Sequence, residues 1–257
     1  MKNKVILISI DGMRPDGLKK CGNPYVKELE RLCAHTYTAQ TVYPSSTFPC
    51  HYSMAHSVTP ERHGMLGNKY VEPKAPIPGI FEKIRKVGGA CAFLYGWDII
   101  RDIATPGSCR YTCYIHSDMM PSVDTALTDE AMRIMDSHDT DFVFLYLVDT
   151  DDKGGHSKGW MSEEYLYRIS IAIDNVKRII EKYGDRYSVI IMSDHGGHDY
   201  LHGTDLPEDM TIPLFFYGPA FKGGEALEGL SILDIAPTVA TLMEIECAEE
   251  WEGHSVI

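Results

Sequence analysis

The chain has 257 residues, 44% of them hydrophobic and 24% charged, enough for one large core and ordinary for a water-soluble globular protein. Lys and Arg total 24 against 37 Asp and Glu, and the resulting charge of −13 argues against a nucleic-acid polymer as partner, because phosphate binding relies on clustered basic residues. No apolar run approaches the roughly 18 residues of a membrane helix, so no membrane is expected as a partner either.

Along the chain, short apolar runs alternate with helical periods. "VILISI" (5–10), "ACAFLY" (90–95), "FVFLYLV" (142–148), "YSVIIM" (187–192) and "IPLFFYG" (212–218) read as strands buried on both faces. The first is too short for an export signal and runs straight into Asp11. Helices are expected over 124–138, 162–183 and 232–245. In the second, Leu166, Ile169, Ile173, Val176 and Ile180 step by three and four, with Ser162 suited to its start and Gly184 to its end. "YVEPKAPIPG" (70–79) is a proline-rich surface loop rather than a domain boundary. The alternation predicts an α/β fold, a three-layer α/β/α sandwich with a mostly parallel central sheet, formed as a single domain over 1–257 with no large cap insertion. Seven scattered cysteines without a CxxC pair read as reduced thiols, which makes the cytoplasm the expected compartment.

Ligands of such folds gather at the carboxyl ends of the strands. Three of those ends carry the chemistry: Asp11 after the first run, "DTDDKGGH" after the third and "SDHGGHDYLHG" after the fourth. A lone Asp after a strand is most often a turn-former, and "DKGGH" alone could be a glycine-rich turn. The density of His and Asp in the last segment, however, is costly in a core unless the groups are paired or bound to metal. Asp11, Asp152, His156, Asp194, His195 and His202 supply six His and carboxylate donors, enough for two zinc-type sites of three ligands each. Two such ions can grip both the attacking and the leaving oxygen of an in-line displacement, and can activate a hydroxyl. "VYPSSTFPCH" (42–51) offers three hydroxyls in a row, Ser45, Ser46 and Thr47.

These motifs together resemble those of the alkaline phosphatase superfamily, and within it the nucleotide pyrophosphatase/phosphodiesterase branch. "ISIDGMRPD" resembles the first metal motif. "TFPCHYSMAHSVTPERHGMLGN" resembles the nucleophile motif, from Thr47 to an Asn 21 residues on, Asn68. "DKGGHSKG", "SDHGG", "LHGTD" and "ILDIAPTVATLM" resemble the remaining motifs in their family order. The resemblance implies one zinc held by Asp152, His156 and His202, and another by Asp11, Asp194 and His195 with Thr47 beside it as nucleophile and ligand. Three carboxylates against two divalent ions leave a small positive surplus that suits an anionic phosphoester. It implies further that Asn68 and the backbone N–H of Thr47 bind the non-bridging oxygens.

The pattern is not complete. The Asn common after Phe-Pro is Cys50, and only six residues lie between His195 and His202, where the family usually has a long insertion. Asp149 and Asp151 compete with Asp152, which the Asp-x-x-Gly-His spacing favours. His198 competes with His202, and Ser46 with Thr47. His51, His56 and His63 read as packing or hydrogen bonding around the nucleophile helix.

The expected function is hydrolysis of a small phosphoester, a phosphodiesterase or nucleotide pyrophosphatase. The alternative is a phosphomonoesterase or phosphonate hydrolase on the same scaffold. The absence of an obvious arginine clamp favours the diester, with Arg14 and Arg62 the nearest cations. Phe48, Tyr70, Tyr95, Trp97 and Trp160 are candidates for a base slot. A binding module without catalysis would lack a ligand or the nucleophile, and neither is missing. A sulfatase would need a Cys or Ser in a Cys/Ser-x-Pro-x-Arg context, which "STFPCH" does not offer.

Overall fold

The computed structural model describes residues 3–73 and 75–257. Its strands are β1 (Lys4–Ile10), β2 (Ala34–Gln40), β3 (Cys91–Tyr95), β4 (Tyr111–Tyr114), β5 (Phe142–Leu147), β6 (Tyr187–Met192) and β7 (Thr211–Tyr217), joined in one sheet in the order β2-β7-β6-β1-β5-β3-β4. β1 pairs in parallel with β5 and β6, and β3 with β4 and β5, whereas β7 runs antiparallel to both β6 and β2. Among the described strands, β7 alone is therefore reversed, and the sheet is mostly parallel.

The five expected strands form within a residue or two of the apolar runs, because a strand covered on both faces reads as an uninterrupted hydrophobic stretch. β3, β5 and β6 are buried along their whole length. β2 and β4 are the two edges. "AHTYTAQ" and "YTCY" mix polar with apolar residues because their outer faces meet solvent, and their period-2 pattern was the available signal.

Helices fall into two packed groups, one on each face of the sheet. The Glu163–Tyr183 helix packs against the Val123–Ser137 helix and the short Pro15–Lys20 and Tyr25–Leu32 helices; the Thr47–His56 helix packs against Ile80–Lys86 and Ile235–Leu242. The Glu163–Tyr183 helix starts as its sequence predicts, with the Ser162 hydroxyl accepting a hydrogen bond from Tyr165 N–H at 3.2 Å. Ile169, Ile173, Val176 and Ile180 are buried, each fully buried isoleucine worth roughly 1.5–3 kcal/mol, while Leu166 is only partly covered. Gly184 ends the helix for a different reason than expected. Its φ of −65° is open to any residue, but a Cβ there would lie 2.7 Å from the Tyr217 ring and 2.6 Å from the Ile180 carbonyl oxygen. The helix expected over 232–245 is shorter: a 3-10 turn at Ile232–Asp234 leads into Ile235–Leu242. Among the described residues no helix is long and apolar enough to cross a membrane.

β1 lies between β5 and β6, so the carboxyl ends that carry Asp11, the Asp149–His156 segment and Asp194–His195 are neighbours in the middle of the sheet.

Candidate active site

Those three ends and the start of the Thr47–His56 helix meet in one cleft of about 280 Å³. Asp11, Thr47, Asn68, Asp151, His156 and His202 line its floor and walls. Thr47 is the first residue of its helix and Ser46 the N-cap, so the hydroxyl stands at the positive end of the helix dipole. Thr47 Oγ1 is 3.1 Å from His195 Nε2. Its two neighbours are separated from it by geometry. The Ser45 hydroxyl donates to the Thr204 carbonyl at 2.6 Å, and Ser46 does not line the cleft. Asn68 reaches the same point from the far end of its segment. Its Oδ1 accepts from Phe48 N–H at 3.0 Å, which fixes the amide so that Nδ2 is the group left for the cleft.

Three histidines are oriented alike. Nδ1 of His156, His195 and His202 lies 2.9, 2.7 and 3.0 Å from the carbonyl oxygens of Tyr200, Gly196 and Ser45. A carbonyl only accepts, so each Nδ1 carries a proton, and Nε2 is the nitrogen left for other partners. Burial, and then the neighbouring His195, pushes the His202 imidazolium down to about 3, which keeps that ring neutral. His198 points elsewhere, its Nδ1 2.8 Å from Asp209 Oδ1, whereas His202 lines the cleft.

The carboxylates converge with one oxygen each left open. Asp11 Oδ2 accepts from the Tyr146 hydroxyl, and Asp194 Oδ1 accepts from Gly12 N–H at 3.1 Å. Asp11 Oδ1, Asp151 Oδ1 and Asp194 Oδ2 are buried without a hydrogen-bond partner. Burial, followed by repulsion from Asp194 and Asp151, holds the Asp11 carboxyl well above its ordinary range, and burial pushes Asp151 up to about 6. Burial acts the same way on Asp194, but His195, His51 and the Gly12 N–H outweigh it and its pKa falls. Unpaired buried oxygens of this kind cost several kcal/mol unless a cation compensates them.

Two donor sets have their ligand atoms within 4.8 Å of one another: Asp11 with Asp194 and His195, and Asp151 with His195 and His202. His195 Nε2 lies 3.3 Å from both Asp11 Oδ1 and Asp194 Oδ2. Asp151 Oδ2 lies 3.4 Å from His156 Nε2, and its Oδ1 3.9 Å from His202 Nε2. Imidazole Nε2 atoms together with buried carboxylate oxygens are a donor mixture that fits divalent ions of the zinc type.

At one position the geometry departs from the spacing. The carboxylate that faces His156 and His202 is Asp151, not Asp152, which is half-buried at the cleft wall. Thr150–His156 forms a π-helical turn, whose repeat brings residues five apart onto one side. Asp151 and His156 are five apart; the motif's Asp and His are four apart. The turn is held by close packing at its glycines, since a Cβ on Gly154 would meet the Tyr165 backbone at 2.9 Å and one on Gly155 the Trp160 ring at 2.6 Å.

Some residues of the cleft were not singled out from sequence. Tyr146 is the polar-tipped residue next to the end of an otherwise apolar strand, and its hydroxyl meets Asp11. His51 does hydrogen-bond around its helix, as expected, but in doing so it touches the site. Its Nδ1 is 2.8 Å from the Thr47 carbonyl and 3.3 Å from Asp194 Oδ2, and its Nε2 is 2.9 Å from Ser9 Oγ. The far wall, His116, Ser117 and Asp118, carries no motif at all. Of the five candidate aromatics, Trp97 alone lines the cleft; Phe48, Tyr95 and Trp160 are buried and Tyr70 is exposed elsewhere.

With the site in view, similarity to known proteins becomes informative. Human ectonucleotide pyrophosphatase/phosphodiesterase family member 1 is 38% identical over 252 residues, covering 84% of this chain and 26% of that protein. The mouse protein is 24% identical over 253 residues, covering 84% and 27%. The chain thus spans about a quarter of the length of these curated relatives. Among solved structures, murine ectonucleotide pyrophosphatase/phosphodiesterase 5, as an inactive point variant in complex with AMP, superposes with a TM-score of 0.79 over 96% of both chains at 16% identity. Phosphonate monoester hydrolase from Silicibacter pomeroyi gives 0.78 over 99% of this chain and 76% of the other at 15% identity, a likeness of fold. Residues 5–209 match the type I phosphodiesterase / nucleotide pyrophosphatase family of phosphoric ester hydrolases, and the chain belongs to that family.

Proposed function

We propose that the protein hydrolyses small phosphodiesters with Thr47 as nucleophile and with two divalent ions, zinc by donor chemistry, in the site. Asp11, Asp194 and His195 would hold one ion, beside Thr47; Asp151, His156 and His202 would hold the other. The observation that carries this reading is the position of Thr47 Oγ1. It stands at a helix start, 3.1 Å from His195 Nε2, in the one cleft where three buried carboxylate oxygens lack partners among the described residues. When bound, such ions supply Lewis-acid charge that offsets the buried carboxylates and the negative phosphoryl group.

The chain's own residues account for the rest. The Thr47 hydroxyl is held towards the cleft and attacks phosphorus: its O–P bond forms as the bond from phosphorus to the leaving alcohol oxygen breaks. Thr47 gives up its proton and the alcohol leaves protonated, and water then cleaves the threonine ester and restores the hydroxyl. Asn68 Nδ2 and the helix-start N–H of Thr47 bind the non-bridging oxygens. His51 fixes Thr47 through its carbonyl at 2.8 Å.

A diester is favoured over a monoester by what the cleft lacks. None of the residues lining it is Lys or Arg. Arg14 is tied to the Asp16 carboxylate at 2.8 and 2.9 Å and to the Gly197 carbonyl at 3.0 Å, and Arg62 to Glu252 at 2.8 Å. Among the described residues lining the cleft, a dianionic monoester would meet no fixed cation beyond the metal ions. The AMP held by the murine relative supports a nucleotide as one substituent. In a comparison of nitrophenyl nucleotide diester with nitrophenyl phosphate, kcat/KM should be at least about tenfold higher for the diester. Faster turnover of the monoester would contradict the diesterase reading.

The π-turn register makes a separate prediction. Asp151→Asn should lower bound metal by about one equivalent and kcat/KM by on the order of 100-fold, whereas Asp152→Asn should keep the full metal content. Elemental analysis of the two purified variants decides between the carboxylates, and loss of metal from the Asp152 variant alone would restore the simple spacing rule.

A further inference from the structure

Two stretches from distant parts of the chain form neighbouring walls of the cleft, Asp151, Asp152 and His156 of the π-turn and the segment His116, Ser117 and Asp118. The second wall is an irregular segment with a single 3-10 turn at Ser117–Met119, closed by Met119 N–H to the His116 carbonyl at 3.0 Å and Asp118 N–H to His116 Nδ1 at 3.1 Å. Its N-terminal end is tied to the sheet by Ile115 N–H to the Tyr95 carbonyl at 3.2 Å, and its C-terminal end is held by side chains from elsewhere, Lys153 of the Thr150–His156 turn among them. The Lys153 ammonium donates to the carbonyl of Met120 at 2.8 Å and that of Pro121 at 3.4 Å, and lies 2.8 Å from Asp149 Oδ1. Arg168 adds a donor to the Pro121 carbonyl at 2.8 Å and is itself held by Glu164. Asp149 is buried, and its other oxygen accepts from Val123 N–H at 3.0 Å, where the next helix begins.

We propose that Lys153, anchored on buried Asp149, is a positioning residue that clamps the 116–121 wall to the metal-site turn and so sets the width of the cleft mouth. The reacting centre is on the floor; the mouth is where the larger substituent of a diester must lie. Substrate size discrimination then resides in a side chain that never touches the substrate. Its part in specificity rests on the diesterase reading above, whereas the clamp itself does not.

The test replaces Lys153 with Met, which keeps the length of the stem and removes the three donors. Amide hydrogen exchange at Asp118 and Met119 should speed up by about tenfold or more, with β6 amides unchanged. KM for a nitrophenyl nucleotide diester should rise about tenfold with kcat within about twofold, while KM for methyl nitrophenyl phosphate stays within about twofold. Lys153→Arg, which keeps the charge against Asp149, should restore both readouts to within about threefold of the parent, and it guards against a Met variant that folds poorly. Unchanged exchange at Asp118 and Met119 would overturn the clamp, and an equal rise of KM for both diesters would overturn its role in size selection. Should the parent protein hydrolyse neither diester, the diesterase reading fails, and the exchange measurement still decides the clamp.

Discussion

Thr47→Ala should lower kcat/KM for a nitrophenyl nucleotide diester by at least about 10³-fold, equivalent to about 4 kcal/mol of transition-state stabilisation. The alanine removes the attacking oxygen and leaves everything around it. Thr47 is 3% exposed, and its side chain makes one hydrogen-bond contact, to His195 Nε2 at 3.1 Å, so no other donor or acceptor depends on it. The backbone of the first helical turn, the Phe48 N–H to Asn68 contact and the His51 to Thr47 carbonyl contact all survive the substitution. Alanine also has the higher helix propensity. The melting temperature should therefore move by no more than about 2–3 °C. Thr47→Ser keeps the oxygen and should retain measurable turnover. Ser46→Ala should be close to the parent, because Ser46 caps the helix without a side-chain bond and does not line the cleft. Full activity in the Thr47 alanine variant would rule out the nucleophile.

The second large effect concerns stability. Chelation should abolish activity and lower the melting temperature by on the order of 10 °C at pH 7.5, because bound ions are the counter-charge of a cluster that folding buries. Asp11, Asp151 and Asp194 each leave an oxygen unpaired in the interior. The sign of the pH dependence follows from the direction of the shifts. Burial raises Asp151 to about 6 and Asp11 well above its ordinary value, so in the metal-free protein the folded state holds their protons more tightly than the unfolded chain does. Stability from these two groups is fully present below the unfolded carboxylate range and is lost as pH rises through the folded values. Asp194 is shifted the other way, and its contribution falls off only in acid below the ordinary carboxylate range. The chelated protein should thus melt higher at pH 5 than at pH 7.5, and the gap between chelated and metal-loaded protein should widen with pH. Melting curves in chelator that match the metal-loaded ones at pH 7.5 would contradict a metal-compensated cluster.

The contrast between what was and was not legible in the sequence has a physical basis. β1, β5 and β6 announce themselves because they are covered on both faces, and the same burial makes any polar residue at their ends conspicuous: Asp11, Asp194 and His195 stand out for that reason. The edges β2 and β4 carry half-polar patterns that many loops share. His156 and His202 are legible through the Asp-x-x-Gly-His and His-Gly motifs, and the first of these favours Asp152, whereas in the structure Asp151 faces the two histidines. In the π-turn, Gly154 and Gly155 fit closely against Tyr165 and Trp160, a packing that the Asp-to-His spacing does not reveal. Arg14 illustrates the converse. It lies within the first metal motif, three residues after Asp11, where sequence offers it as a phosphate clamp, but Asp16, two residues on, occupies its guanidinium. Lys153 sits inside the motif and would be read as solvated, while its partners, Met120 and Pro121, come from a segment with no signature.

The central claim is that Thr47 becomes covalently bonded to phosphorus, and the stereochemical course at phosphorus tests it directly. Each in-line displacement inverts the centre, so attack by Thr47 followed by attack of water restores the original configuration. A phosphorothioate diester of one configuration, hydrolysed in oxygen-18 water, should give a product with retained configuration. Inverted configuration would mean that water attacks the substrate itself and that Thr47 is not the nucleophile.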